Sequence, residues 1–580
     1  MKKIHLFTIL FIVFLIGCEK NRTPPNVILI ITDDQGYGDL NFNGNPNIIT
    51  PALDNFAAES VRFNNFYVSP VCAPTRSSLM TGRYSLRTGV RDTYNGGAIM
   101  ASSEVTLAEM LKQANFTTGI FGKWHLGDNY PSRPSDQGFD ESLIHLAGGM
   151  GQVGDFTNYF KKDTSYFDPI LWHNNEQKPY QGYCSDIFTE NAIEFIEKNK
   201  NNPFFCYLSF NAPHNPLQVP DEYYQIYKNI DPTEGIDPNL IPNEKINEQT
   251  KENTRKVYAM VTNIDDNLKK LFSKVEELGI KENTIVIFMT DNGPQHARYV
   301  AGMKGRKTSV YNGGIRVPFY FRYPNEFSGD KEVDQMTAHI DLLPTLSKLC
   351  GARIPEDRKI DGRNFIPSIE GKIQPERSFF SYWTRKYPEL FNNIALQRGQ
   401  FKLVGKTDYD SEIENFQLYD TNKDPFEKNN LMAQKKSIGL SLKEEMHQTF
   451  LELVNSENLK NPPRIILGSD FENPVFLNRN DAGGQRAVWN QEQAYSFWKV
   501  DINKEGLYDL KFKFLKPLPA NGNMYLEIGQ SIQQKLNSKD NLDVIELKSV
   551  YLPKGFHDFT PFYMFQKGNY FPLYVEVTAK

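Results

Sequence analysis

The stretch NVILIITDDQGYGD, Asn26–Asp39, decides the fold. Its opening is an uninterrupted apolar, β-branched run of the kind a parallel strand shows when both of its faces are buried. It closes on Asp33 and Asp34. The arrangement returns in TIVIFMT, Thr284–Thr290, which closes on Asp291 and Asn292 of DNGPQ. Just before it, Val257, Val261, Ile264, Leu268, Leu271, Val275 and Leu278 repeat at alternating spacings of four and three, the stripe of an amphipathic helix. Helix followed by buried strand is the logic of an open α/β sheet, whose site lies at the carboxyl ends of its strands. Asp33, Asp34, Asp291 and Asn292 are therefore expected to meet in space. They offer only hard oxygens, which suit Ca²⁺ or Mg²⁺, and three acids packed together without a cation would repel. Either pair alone reads equally well as a turn former or helix cap. The two together, with a distinctive cysteine between them in sequence, favour a cation site.

That cysteine is Cys72, in SPVCAPTRSSLMTGRY, Ser69–Tyr84. A structural cysteine usually sits in an apolar strand or helix; Cys72 lies between two prolines, four residues before Arg76, in a run of small hydroxyl residues. Cys206 and Cys350 occupy apolar contexts, and spacing does not tell whether Cys184 pairs with Cys206. At 580 residues the chain is too long for one core. A net charge of −5 with acids and bases interspersed leaves no electrostatic footprint for nucleic acid. The N-terminus places the basic MKK before the apolar IHLFTILFIVFLIG, shorter than the roughly 20 residues that span a bilayer. Its ending LIGC resembles a bacterial lipobox. That predicts a lipoprotein signal peptide over residues 1–17, lipidation of Cys18, and an exported chain anchored to a bacterial membrane through lipid. An ordinary secretory signal or an uncleaved anchor is the alternative.

CAPTR fits the pattern Cys-x-Pro-x-Arg, and with SSLMTGR behind it the segment resembles the signature of the type I sulfatases of the alkaline phosphatase superfamily. There a maturation enzyme oxidises the cysteine to formylglycine. TDDQGYGD, GKWHLG, NAPHNP, TDNGP, GMKG, GGIRVPF, HIDLLPT and LYDTNKDPFEKNNL extend the resemblance, in the family's order, over roughly residues 25 to 435. The resemblance implies that Asp33, Asp34, Asp291 and Asn292, with the modified residue 72, bind one divalent cation, usually Ca²⁺. It implies that the hydrated aldehyde at 72 attacks sulfur with one hydroxyl and expels sulfate through the other. Arg76 would position that diol. Lys123, His125, His214 and Lys304 match sulfate-binding and proton-transfer positions, with His214 and Lys304 beside the leaving group and His125 aiding sulfate release. His145, His173, His447 and His557 are given no chemistry; His296 and Arg298 follow the metal pair closely enough to touch substrate. HIDLLPT reads as structural.

From about Pro462 the chain reads as short strands separated by Gly and Asn turns, a β-sandwich. Trp489, Trp498 and Tyr508 are candidates for stacking on sugar rings, although aromatics at strand spacing are more often core. The expected fold is α/β, an alkaline-phosphatase-like sandwich: a catalytic domain over 24–370 around a mostly parallel sheet, a small antiparallel subdomain over 371–460, and an appended β-sandwich over 461–580. The expected function is hydrolysis of sulfate esters of a carbohydrate, algal (ulvan, carrageenan) or glycosaminoglycan. The alternatives are a phosphodiesterase or phosphonate monoester hydrolase of the same superfamily, and an inactive glycan-binding protein.

Overall fold

The computed structural model describes residues 23–580 except 162, 242–245, 386, 485–488, 530 and 538–540; of 531–537 only the backbone is described. The expected signal peptide and Cys18 lie outside the described residues.

The strand Asn26–Thr32 sits near the middle of a ten-stranded sheet. It pairs in parallel with Phe204–Ser209 on one side and Thr284–Thr290 on the other, and Thr117–Lys123 and Glu141–His145 continue the parallel block. Antiparallel strands complete each side: Phe319–Arg322 against Thr284–Thr290, and Ile170–His173 against Glu141–His145. The sheet is thus mixed, with a parallel centre.

Side chains alternate across a strand, so consecutive residues of VILII feed two different cores. Val27, Leu29 and Ile31 pack with the helices Leu107–Gln113 and Leu342–Cys350, and Ile28 and Ile30 pack with Cys184–Asn199 and the long helix Glu248–Glu277. Of the predicted stripe on that long helix, Val257, Val261, Ile264, Leu268, Leu271 and Val275 are buried, and Leu278 forms its C-terminal cap. Burial on both faces is what an unbroken apolar strand requires.

The smaller subdomain is an antiparallel sheet in the order Ser378–Tyr382, Ile394–Arg398, Phe401–Gly405, Gln417–Asp420, and Leu442, Met446, Phe450 and Leu453 of the helix Lys436–Val454 lie in the core beneath it. After it come two facing sheets enclosing one core, the appended sandwich. Ser496–Ile502 shows the alternation plainly: Trp498 and Val500 enter the core while Phe497 and Lys499 face outward. The sandwich includes an eleven-residue strand, Gly555–Phe565, longer than the short strands expected there. It is fastened to the loop after Thr117–Lys123, where Asn478 donates to Asp128, and Glu472 accepts from the Tyr130 amide at 2.8 Å. Ile99 of the α/β unit joins its core. Cys72, Cys184, Cys206 and Cys350 are buried free thiols, so Cys184 and Cys206 do not pair. Among the described residues no helix is long and apolar enough to cross a membrane.

Candidate active site

The register Thr32↔Thr290 sets Asp33 and Asp34 beside Asp291 and Asn292. Contacts tie the four together: the Asp34 amide donates to Asp291 Oδ1 at 3.2 Å, and Asn292 Nδ2 donates to Asp34 Oδ1 at 2.8 Å. Asp34 adopts φ 63°, a left-handed conformation that non-glycine residues adopt with strain, of the kind that persists at functional sites. Cys72 is the first residue of the helix Cys72–Thr81, every residue of which is buried, and its Sγ lies within 4.8 Å of ligand oxygens of Asp33 and Asp291.

Three cations answer the three acids. Lys123 Nζ meets Asp33 Oδ2 at 2.6 Å, Arg76 meets Asp291 Oδ2 at 2.8 Å, and Lys307 Nζ reaches Asp34 at 2.6 and 2.9 Å. Arg76 is fully buried; it also donates to Ser209 Oγ and to the Lys123 carbonyl, which locks its fork in place. Burial alone would raise Asp34, but Lys307 and then His214 carry it well below the ordinary carboxylate range. Asp291 goes the other way, pushed up to about 6 by burial and then by Asp33. Burial also raises the Cys72 thiol, against the pull of Lys123 and Lys307.

Two histidines face the pocket. His125 Nε2 lies 2.8 Å from the Thr93 carbonyl, an acceptor only, so Nε2 carries the proton; Nδ1 is buried without a partner and keeps its lone pair. Gly148 packs against this ring so closely that a Cβ there would fall 2.5 Å from Cε1. In the same way His214 Nδ1 donates to the Asn215 carbonyl at 2.7 Å, leaving Nε2 3.7 Å from Asp34 Oδ2. Burial first, and Lys307 next, hold His214 down at about 3.

One expected residue is elsewhere. Lys304 Nζ lies over the Tyr311 ring at 4.1 Å and donates to Tyr419 Oη at 3.0 Å and Gln417 Oε1 at 3.3 Å, partners supplied by the smaller subdomain and its border. The lysine lining the pocket is Lys307, three residues on, because the turn through Gly305 separates the two side chains. GMKGRKTSVYNGG holds both lysines, and spacing alone does not choose between them. Arg298 is also corrected. It is buried in a pair with Asp39 and donates to the Asp34 carbonyl at 2.9 Å, so it supports the acidic turn from behind. His296 Nε2 sits 3.1 Å from Asn215 Oδ1, beside His214. In HIDLLPT, His339 takes the Tyr67 carbonyl and Ser69 hydroxyl, and Asp341 pairs with Arg377, a structural arrangement.

The residues fit a hard divalent cation. Asp33 Oδ1 and Asn292 Oδ1 are buried with no hydrogen-bond partner, although the other oxygen of Asp33 is paired. Such orphaned acceptors in one acidic cluster are the ligand atoms a cation satisfies. Three acids against three bases leave the floor near neutral, and a divalent ion would give it the positive charge an anionic ester needs.

Above this floor the pocket, ≈ 280 Å³, is walled by residues that the motifs did not name: Thr93 and Tyr94, Gln152, Arg385, and from the appended sandwich Asn480 and Trp489. Trp489 stacks on Tyr94 with centroids 5.4 Å apart, and the Arg385 guanidinium lies 4.4 Å from the centre of the same Tyr94 ring. Trp498 and Tyr508 are core residues.

Comparison with known proteins agrees with this geometry. Residues 25–352 match the sulfatase family model, and residues 305–456 match that of the N-sulphoglucosamine sulphohydrolase C-terminal region. The arylsulfatase of Hemicentrotus pulcherrimus is 31% identical over 420 residues, 68% of this chain and 70% of its own. The N-acetylgalactosamine-6-sulfatase of Mus musculus is 30% identical over 386 residues, 62% and 69%. Among solved structures, Ps i-CgsB superposes with a TM-score of 0.65 at 29% identity, covering 75% of this chain and 94% of its own. A phosphonate monoester hydrolase of Agrobacterium radiobacter shares the fold, with a TM-score of 0.54 at 19% identity over 74% of this chain and 95% of its own. With the acidic pairs, Cys72 and the pocket cations in one place and the family model matching more than half of the chain, the chain belongs to the sulfatase family of sulfuric-ester hydrolases.

Proposed function

We propose that this protein removes sulfate from a sulfated carbohydrate, using formylglycine made from Cys72 and a Ca²⁺ ion held by Asp33, Asp34, Asp291, Asn292 and residue 72. The observation that carries the reading is the position of Cys72: buried at a helix N-terminus, against two acids, with its thiol pushed up by burial. A thiol so held is a poor nucleophile, which favours a modified side chain over a cysteine mechanism. Hydrated formylglycine supplies a geminal diol, one hydroxyl to attack sulfur and a second whose deprotonation returns the aldehyde and frees sulfate. The cation supplies charge that favours the alkoxide.

The chain's own residues do the rest. Arg76, locked onto Asp291, holds the positive wall behind residue 72. Lys123 and Lys307 face the anionic oxygens. His214, beside Lys307 at the Asp34 end, keeps its own proton on Nδ1, so its bare Nε2 is placed to take the proton of the attacking hydroxyl and pass it to the departing sugar oxygen; His125, with Nδ1 free, is placed to accept the proton whose loss releases sulfate. The carbohydrate class is supported by the relatives' names, N-acetylgalactosamine-6-sulfatase among them, and by a structure of Ps i-CgsB in complex with k-i-k-neocarrahexaose. We assign the catalytic domain to 24–370, its subdomain to 371–460 and the sandwich to 461–580. The chain is exported and held at a bacterial membrane by lipid on Cys18, after removal of residues 1–17 as signal peptide; metabolic labelling with a palmitate analogue, lost in Cys18→Ala, tests this.

The functional test is inorganic sulfate released from algal and animal sulfated oligosaccharides, with Ca²⁺ and with formylglycine verified by peptide mass. Release by the wild type and none by Cys72→Ala supports the reading. Phosphate from phosphodiesters or phosphonate monoesters without any sulfate would instead establish the rival hydrolase, and binding without turnover the glycan-binding alternative.

A further inference from the structure

A larger cavity, ≈ 690 Å³, lies next to the catalytic pocket at the point where the α/β unit, the smaller subdomain and the sandwich meet. Its volume is within the roughly 300–1,000 Å³ of small-ligand sites, whereas the catalytic pocket at ≈ 280 Å³ has room for little beyond the sulfated ring. The two share a wall. Arg385 lines both, and the loop through Thr93 and Tyr94 on the catalytic side continues as Asn95 and Gly96 on the other, as Asn480 continues into Asp481.

We propose that this cavity is a binding subsite for the anionic sugar units that flank the reacting one, so that the appended sandwich reads chain length and charge. The proposal rests on the carbohydrate sulfatase reading above. Four observations carry it. The lining is mostly apolar with a few polar groups, which is how pyranose rings are held: C–H faces on aromatic and aliphatic surface, hydroxyls on convergent polar atoms. Phe497 and Lys499 project into it from Ser496–Ile502, the strand whose alternate residues build the sandwich core, so a rigid sheet presents both. Arg91, stacked 4.8 Å from the Tyr387 ring, and Arg385 add cationic charge on the opposite side. Arg385 engages Asp92 and Thr93 at 2.7 Å through one terminal nitrogen while its Nε is buried without a partner, a donor unused at the junction of the two cavities.

The charge balance favours an anionic ligand. Arg91, Arg385 and Lys499 face Glu389 and Asp481, with Asp92 bound to Arg385 behind them, and burial and then Asp128 push the Asp481 carboxyl well above the ordinary range, which weakens its negative charge. Asp481 Oδ2 is buried with no hydrogen-bond partner.

The test uses full-length protein and iota-carrageenan and chondroitin sulfate oligosaccharides of two, four and six sugars. Affinities are measured by calorimetry on Cys72→Ala, and again on Cys72→Ala carrying Phe497→Ala or Lys499→Ala; Lys499 is on the outward register of its strand, outside the sandwich core, so at least that variant keeps the fold. The expected result is an affinity that rises about tenfold from disaccharide to hexasaccharide for one glycan, and a loss of that gain in both double variants with the disaccharide unaffected. No gain with length for either glycan, or an equal loss at every length, overturns the subsite. Sulfate release from the same oligosaccharides by formylglycine-bearing wild type reads the sulfatase chemistry separately. If that release is absent while the length-dependent gain persists, the reaction proposed above fails and the subsite stands.

Discussion

The floor and the rim of the pocket are built in opposite ways. On the floor every charge has a partner: Asp33 with Lys123, Asp34 with Lys307, Asp291 with Arg76, all buried, with the acids at the ends of parallel strands that are themselves buried on both faces. The rim combines loops and a second domain, through Tyr94, Arg385, Asn480 and Trp489, and leaves donors such as Arg385 Nε and Trp489 Nε1 unpaired. A preorganised charge array spends no reorganisation when charge develops in a reaction, which suits catalysis. Unpaired donors on a rim are the groups that a polar ligand satisfies. The difference assigns chemistry to the floor and selectivity to the rim, and it is open to experiment at both ends.

The largest effect belongs to Cys72. Cys72→Ala should lower kcat/KM for any sulfate ester by about 10⁴-fold or more while leaving melting temperature nearly unchanged, because a single small side chain is replaced. A variant with substantial residual turnover would break the contrast at its centre. Next comes the lysine pair. Lys307→Ala should cost about 10²–10³-fold in kcat, the effect of losing one charge stabiliser, and Lys304→Ala less than about threefold; equal losses would show that the pocket places the wrong lysine.

The cation is smaller in effect and tests the orphaned oxygens. Calcium at 100 times its dissociation constant should stabilise the chain by about 2.7 kcal/mol, read as a rise in melting temperature that chelation reverses, and Asp33→Asn or Asn292→Ala should abolish that rise. His339, behind the strand that leads to Cys72, gives a pH signature. Burial pulls its pKa down to about 3 despite the Tyr67 carbonyl. The unfolded chain, with an ordinary value of about 6.5, binds a proton that the folded state refuses, so this contribution to stability is complete above about pH 6.5 and is lost as pH falls toward 3, by up to ~1.4 kcal/mol per pH unit. His339→Gln should flatten the fall in melting temperature between pH 6.5 and 5; an unchanged slope would mean that the ring is protonated in the fold. The smallest effect is at the rim: Trp489→Ala should raise KM for a sulfated oligosaccharide by about fivefold with kcat little altered, the signature of uniform binding.

The floor was legible in the sequence because its signals are local and physically forced. An apolar run without polar interruption has to be buried on both faces, and acids at the ends of two such runs have to share the carboxyl edge of the sheet. The motifs around Arg76, Lys123, His125 and His214 each lie on or directly after one of these elements, and the fold brings them together. Lys304 misled because two lysines lie within GMKGRK and the choice between them depends on a turn at Gly305, with φ +83°, that periodicity does not reveal. For Arg298, closeness in sequence to Asp291 does not give closeness to substrate, because its partner Asp39 draws it beneath the turn.

The rim was nearly invisible. Trp498 is core because it lies on the inward-facing register of Ser496–Ile502, whereas Trp489 precedes that strand and lines the pocket, brought there as the sandwich is fastened to the loop at Asp128–Tyr130. The strand Gly555–Phe565 is hard to see in sequence because Pro561 interrupts GFHDFTPFYMF and its burial does not alternate cleanly. Contacts of high sequence separation, not local pattern, define this part of the site.

The most direct measurement is turnover against the extent of conversion at residue 72. The protein is expressed with graded amounts of maturation enzyme, the formylglycine fraction is read by peptide mass, and sulfate release from 4-methylumbelliferyl sulfate is followed with Ca²⁺ present. The account predicts a straight line through the origin. Undiminished release from protein whose Cys72 is wholly unconverted would contradict it.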